Sequence, residues 1–190
     1  MALKGRRRIW TIPNCISLFR LLLIPLLVSL YWKGRTGAAL AVFAVSAASD
    51  VADGPIARRF DMVSDLGKML DPLADKLTLG AAALCAARTH PQLYLLLGFM
   101  ALKELFQAII GGRVVRRTGH VFSSQWFGKL CTVITTACLM ALFAFPGLPE
   151  KAVNGMLILC GLLMAGSLVL YARHFHAYGG AAQEEGRATA

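Results

Sequence analysis

Apolar residues run in long blocks along this chain, near 13–32, 38–57, 70–87, 91–112, 124–145 and 152–173, separated by short polar or turn-forming signals such as Lys33-Gly34-Arg35, Arg58-Arg59 and Pro146-Gly147. A bilayer-spanning helix takes about 20 predominantly apolar residues. Each block has that length, and none shows the strict alternation of a half-buried strand. The pattern predicts an all-α integral membrane protein: a six-transmembrane-helix bundle preceded by a short basic juxtamembrane segment. All 190 residues are read as a single membrane domain, without internal repeats or low-complexity segments. The small polar tail after His176 is expected to fray.

Composition supports this. The chain is 57% hydrophobic and only 16% charged, with a mean hydropathy of +0.61; soluble domains run nearer 45–50% apolar and about 25% charged. A soluble enzyme is excluded. The net charge of +10 is scattered through apolar sequence, without the basic stripe or aromatic interleaving of a nucleic-acid binder. With the N-terminus in the cytoplasm, thirteen Lys and Arg fall inside, four outside and three (Arg20, Lys76 and Lys103) within spans. The positive-inside rule therefore favours cytoplasmic termini. Lys4 and Arg6 to Arg8 ahead of Trp10 suit a segment lying on an anionic leaflet. A signal peptide fits less well, because Arg20 interrupts its apolar region and five more spans follow. The five cysteines lack a C-x-x-C pair and sit mostly inside apolar runs, as buried thiols do. The tryptophans lie at or near span ends, as interfacial anchors.

The acidic residues break this even picture. Of ten, six (Asp50, Asp53, Asp61, Asp65, Asp71 and Asp75) fall within one stretch of 26 residues. Asp50 and Asp53 are three apart and Asp71 and Asp75 four apart, so on helices each pair projects from one face. The second span ends just beyond Asp53 and the third starts just before Asp71, which puts both pairs at similar depth toward the cytoplasm. Asp61 and Asp65 suit a solvated loop. Ionising four converging carboxylates at low dielectric requires compensating positive charge. A divalent cation supplies it, and oxygen-only ligands favour Mg²⁺ or Mn²⁺. The chemistry suggested is phosphoryl transfer, with two ions serving the attacking and leaving oxygens. Arg58 is placed to grip a phosphate, and Gly54 admits close approach to the backbone. Pro55 should kink or end the second span.

These residues resemble the CDP-alcohol phosphotransferase family, whose signature is D-x2-D-G-x2-A-R-x8-G-x3-D-x3-D. Asp50, Asp53, Gly54, Ala57, Arg58, Gly67, Asp71 and Asp75 fill every fixed position. The resemblance implies that Asp50, Asp53 and Asp71 bind one metal ion and Asp50, Asp71 and Asp75 a second. It implies Asp75 as the general base on the acceptor hydroxyl, with Gly54, Arg58 and Ser64 on the CDP moiety. Pro13-Asn14, Ser17 and Arg20 resemble the P-N-x2-T/S-x2-R opening of phosphatidylglycerophosphate synthases and of eukaryotic-type cardiolipin synthases. There Asn14 and Ser17 would help hold the nucleotide; first-turn capping is their other role.

The implied reaction moves phosphatidyl from CDP-diacylglycerol to an alcohol, with glycerol 3-phosphate favoured and phosphatidylglycerol the alternative. A homodimer in a bacterial cytoplasmic membrane, with the site facing the cytoplasm, is implied as well. Gly128-Lys129-Leu130-Cys131-Thr132 resembles the G-K-x-K-T segment of glycerophosphate-using members but departs from it at Cys131. Lys129, with Arg113, Arg116 and Arg117, is a candidate acceptor-phosphate pocket; a topology-setting charge run explains the same arginines. Arg20 is either functional or snorkels to the interface. Adjacent Lys103 and Glu104 should point apart on a helix and not pair, and His174 and His176 are read as interfacial. Intramembrane prenyltransferases also cluster aspartates, but in two separated motifs and with more spans. A cation or proton transporter would need acids near the bilayer centre and a path outward, whereas these cluster toward one side.

Overall fold

The computed structural model describes residues 12–59, 65–118 and 126–188, with side chains described for 14–50, 70–109, 127–171 and 173. The described residues form six helices: α1 Ile12–Trp32, α2 Thr36–Arg59, α3 Asp65–Ala87, α4 Leu93–Thr118, α5 Trp126–Ala144 and α6 Glu150–Ala188. The basic segment ahead of α1, together with Asp61 and Ser64, lies outside the described residues.

Two units emerge, one formed by residues 1–91 and 139–148, the other by 92–138 and 149–190. In the first, α1 packs along both α2 and α3, which touch each other far less. Small side chains make this possible: Ala39 of α2 and Ala74, Ala82, Ala83, Ala86 and Ala87 of α3 are buried, letting backbones approach closely. Phe143 fills the remaining space, its ring 4.8 Å from that of Tyr31 and 5.7 Å from that of Phe43. Tyr31, at the end of α1, shares a 3.0 Å hydrogen bond with Thr89, just past α3. Ser17, near the start of α1, donates to Asp71, near the start of α3, at 3.4 Å. Helices α1 and α3 therefore run side by side in the same direction.

The turn after α1 is a Schellman cap. Arg35 N–H donates to the Leu30 carbonyl and Gly34 N–H to that of Tyr31, each at 3.0 Å, satisfying carbonyls the helix end leaves open. Gly34 supplies the left-handed backbone this requires, at φ +73°.

In the second unit α4 packs against α6, and Leu93, Leu96, Cys131, Val153, Cys160 and Met164 are buried. Thr132 hydrogen-bonds back to the Gly128 carbonyl at 3.2 Å within α5, a helix-compatible outlet for a hydroxyl in an apolar setting.

The polarity of the molecule is inverted relative to a soluble protein. Leu95 is 80% exposed and Trp32 62%, whereas Arg20 is 1% exposed. Ser17, Ser46, Thr78, Lys103, Thr135 and Ser167 are also buried. Polar groups inside and large apolar groups outside suit a hydrocarbon solvent, where a lipid-facing polar group is costly. Three helical stretches are long and apolar enough to cross a bilayer, Asn14–Trp32, Phe127–Ala144 and Glu150–Tyr171. The other helices carry the acidic pairs or the charges of α4, which lowers their apolarity. Trp32 ends α1 and Trp126 begins α5.

Several expectations are corrected, among them the loop reading of Asp65, which opens α3. Of the kink or end expected at Pro55, the end is overturned: α2 continues to Arg59. Helix α6 continues past His176 to Ala188, its Ala, Gln, Glu and Arg residues favouring helix against Gly179, Gly180 and Gly186. Lys103 and Glu104 do pair, with Nζ 2.9 Å from a Glu104 carboxylate oxygen. Their Cα–Cβ bonds diverge, but the four-carbon lysine stem sweeps round the helix, and an unpaired charge there would be costlier. The cysteines are free; Cys85, Cys131 and Cys160 are buried as expected, but Cys15 is exposed.

Candidate functional site

Three helices of the first unit supply one polar centre. From α1, Asn14, Ser17 and Arg20 recur at three-residue spacing and all three are buried, so that one helical stripe turns polar groups inward. From α2 comes Asp50, and from α3 Asp71, with Asp75 one turn further on. Arg20 lies between the two acidic helices, its Nη1 paired with Asp50 and its Nη2 with Asp71. Ser17 adds a second donor to the same Asp71 oxygen. Asp75 lies within electrostatic reach of Asp50, Asp71 and Arg20.

The sequence-derived geometry is recovered here in one important respect: carboxylates from the second and third helices occupy the same end of the unit. Asp50 and Asp71 remain partly open, with side chains 38% and 44% exposed, while the arginine behind them is sealed in. The arrangement is therefore a carboxylate surface backed by a buried cation. Two carboxylates from separate helices converging on one positive charge form an oxygen donor set suited to a hard cation. Among the described residues no group of three or more His, Cys, Asp or Glu is already arranged as a metal cage; the Asp53 side chain lies outside them.

The remaining sequence-derived candidates divide by position. Asp53, Gly54 and Arg58 lie on the last turns of α2, with their side chains outside the described residues. Ser64 is outside them altogether. Lys129 is exposed on α5 in the second unit, and Arg113, Arg116 and Arg117 lie near the end of α4, their side chains again undescribed.

Arg20 does not snorkel. Its burial and two ion pairs overturn that alternative, and the reason is the energetic advantage of two anionic partners at its own depth. Two polar side chains had escaped notice in the sequence. Thr78, seven residues after Asp71 and three after Asp75, is buried, and its hydroxyl has no hydrogen-bond partner among the described residues. Ser46, four residues before Asp50, is buried too. Helical spacing from the aspartates would have found both.

Comparison with known proteins places this sequence among relatives. The sequence model of a family described as CDP-alcohol phosphatidyltransferase matches residues 10–171. A probable phosphatidylglycerophosphate synthase from Mycobacterium tuberculosis H37Rv is 32% identical over 148 residues, covering 75% of this chain and 69% of that protein. A CDP-diacylglycerol--glycerol-3-phosphate 3-phosphatidyltransferase from Pectobacterium atrosepticum is 32% identical over 155 residues, 77% of this chain and 82% of its own length. A CMP-forming cardiolipin synthase from Streptomyces coelicolor is 36% identical over 120 residues, 60% of this chain and 55% of its own.

Proposed function

Since this chain belongs to the CDP-alcohol phosphatidyltransferase family, we propose that the centre built from α1, α2 and α3 is its active site and that Asp75 is its general base. The protein is a phospholipid-synthesising enzyme that transfers phosphatidyl from CDP-diacylglycerol to glycerol 3-phosphate, giving phosphatidylglycerophosphate and CMP. The observation that carries the site assignment is the convergence of Asp50 and Asp71, from two helices, on Arg20, with Asp75 in electrostatic reach.

Asp50, Asp53 and Asp71 would hold one divalent ion, and Asp50, Asp71 and Asp75 a second; Mg²⁺ and Mn²⁺ both suit the all-oxygen set. When bound, such ions draw negative charge off the phosphates and lower the barrier to displacement. The chain's own residues do the rest. Gly54, Arg58 and Ser64, with Asn14 and Ser17, bind the CDP moiety. Ser17 fixes the Asp71 carboxylate by donating to it. Asp75 accepts the acceptor's hydroxyl proton. The alcohol oxygen forms a bond to the β-phosphorus as the phosphoanhydride bond to CMP breaks, and CMP departs with that bond's electron pair.

Lys129, with Arg113 and Arg117, binds the acceptor phosphate. Six spans, cytoplasmic termini and site, a bacterial cytoplasmic membrane and a homodimer complete the proposal; the inverted polarity of the helices and the distribution of Lys and Arg support the membrane placement. Phosphatidylglycerol as acceptor is the second reading, favoured by Cys131 standing where glycerophosphate-using members carry a lysine.

Incubating the purified protein with CDP-diacylglycerol and Mg²⁺ against glycerol 3-phosphate, inositol phosphate, serine and phosphatidylglycerol tests the assignment. The expected lipid product is phosphatidylglycerophosphate, and Asp75→Asn should abolish CMP release. Turnover by that variant at the wild-type rate would rule out Asp75 as base.

A further inference from the structure

Arg20 is the largest fully buried side chain among the described residues, and the proposed reaction gives it no step. Its guanidinium gives one terminal nitrogen to Asp50 on α2 and the other to Asp71 on α3. These two helices pack mainly on α1 and little on each other, so the polar link between the two carboxylates passes through Arg20. Guanidinium remains protonated at any working pH. A permanent unit charge therefore stands behind the same two oxygens that a divalent cation would use.

We infer that Arg20 is a positioning residue that makes divalent-cation binding depend on the substrate's diphosphate. This rests on the proposal that Asp50 and Asp71 are metal ligands. Arg20 offsets one of the two negative charges and bridges both carboxylates, which helps keep their helices together without an ion. It also repels an arriving dication, because like charges a few ångströms apart in a partly buried site interact strongly. The protein alone then holds the ion weakly. Diphosphate oxygens add negative charge and ligands, and tip the balance toward binding. An enzyme so arranged takes up its ions together with the nucleotide instead of trapping them beforehand.

The test is Mn²⁺ binding to the purified protein in lipid nanodiscs, read from the electron paramagnetic resonance signal of free Mn²⁺ with and without CDP as the diphosphate probe, each referenced to empty nanodiscs at the same CDP concentration. Wild type should bind weakly alone and much more tightly with CDP. Arg20→Met should bind Mn²⁺ at least about tenfold more tightly than wild type without CDP, and CDP should then add less. Arg20→Lys, which keeps the charge, should stay near wild type. If Arg20→Met does not fold, Arg20→Gln keeps donors without charge and should show the same tightening. Equal or weaker Mn²⁺ binding by the uncharged variants overturns the inference while leaving the ligand assignment standing. Unchanged Mn²⁺ binding by the Asp50→Asn, Asp71→Asn double variant overturns the ligand assignment itself.

Discussion

Removing the partners of Arg20 one at a time gives a stability experiment whose arithmetic follows from burial. Asn in place of Asp50 or Asp71 keeps shape and an acceptor oxygen but loses the charge. A hydrogen bond to a charged group contributes about 1.5–3 kcal/mol. Both carboxylates are more than a third exposed, so solvent screening puts each pair at the low end, and losing one also relieves the repulsion between them. Each single variant should therefore cost about 1 kcal/mol. The double variant differs in kind, because Arg20, at 1% exposed, then keeps a buried charge with neither carboxylate opposite it. Breaking a buried pair in that way costs about 3–5 kcal/mol. The two substitutions should be non-additive by about 1–3 kcal/mol. At roughly 2–4 °C per kcal/mol for a chain of this size, each single should lower Tm by about 2–4 °C and the double by about 6–20 °C. Thermal unfolding in detergent with chelator, followed by circular dichroism, measures this. Adding Arg20→Met to the double variant should recover part of the loss, since the trio is then uncharged and leaves no buried cation uncompensated. A double-variant shift equal to the sum of the singles would refute the claim that both carboxylates compensate the same buried cation.

Three further outcomes are expected. Gly34→Ala should cost about 1 kcal/mol, or about 2–4 °C in Tm, purely from the left-handed backbone, because a Cβ there meets nothing within 4 Å; Gly34→Asn should cost less. Phe143→Ala should cost about 3–5 kcal/mol, since the ring is 1% exposed between Tyr31 and Phe43; a loss under about 1 kcal/mol in equilibrium unfolding would contradict that packing. Lys129→Ala should raise KM for glycerol 3-phosphate about 10- to 100-fold with little change in kcat, as loss of one charge-assisted contact does, and leave turnover of phosphatidylglycerol unaffected.

The helices were legible because each apolar block is bounded by strong local signals: Lys33-Gly34-Arg35 carries its own cap geometry. The meeting of Asp50 with Asp71 was legible from spacing and span direction together. What the sequence concealed were pairings decided by side-chain reach. Lys103 and Glu104 looked divergent because backbone periodicity fixes only the first bond of a side chain. Arg20 looked equally able to reach water, although a cation within a span and surplus acids at the same depth signalled an internal pair. Pro55 was expected to kink or end its span, but losing one backbone N–H does not by itself end a helix, and α2 runs on to Arg59. Thr78 and Ser46 were passed over since single hydroxyls in an apolar run carry no pattern of their own.

The buried arginine also bears on how the chain enters a membrane. During synthesis α1 emerges first, bearing a charge that costs a few kcal/mol at a helix centre in lipid, and α2 and α3 follow with acids of comparable cost. None of the three reaches its lowest free energy by partitioning alone, because Arg20 of α1 pairs with Asp50 of α2 and Asp71 of α3. Insertion should then be cooperative, with α1 held beside the translocation channel until α2 and α3 arrive and the buried cation meets its anionic partners.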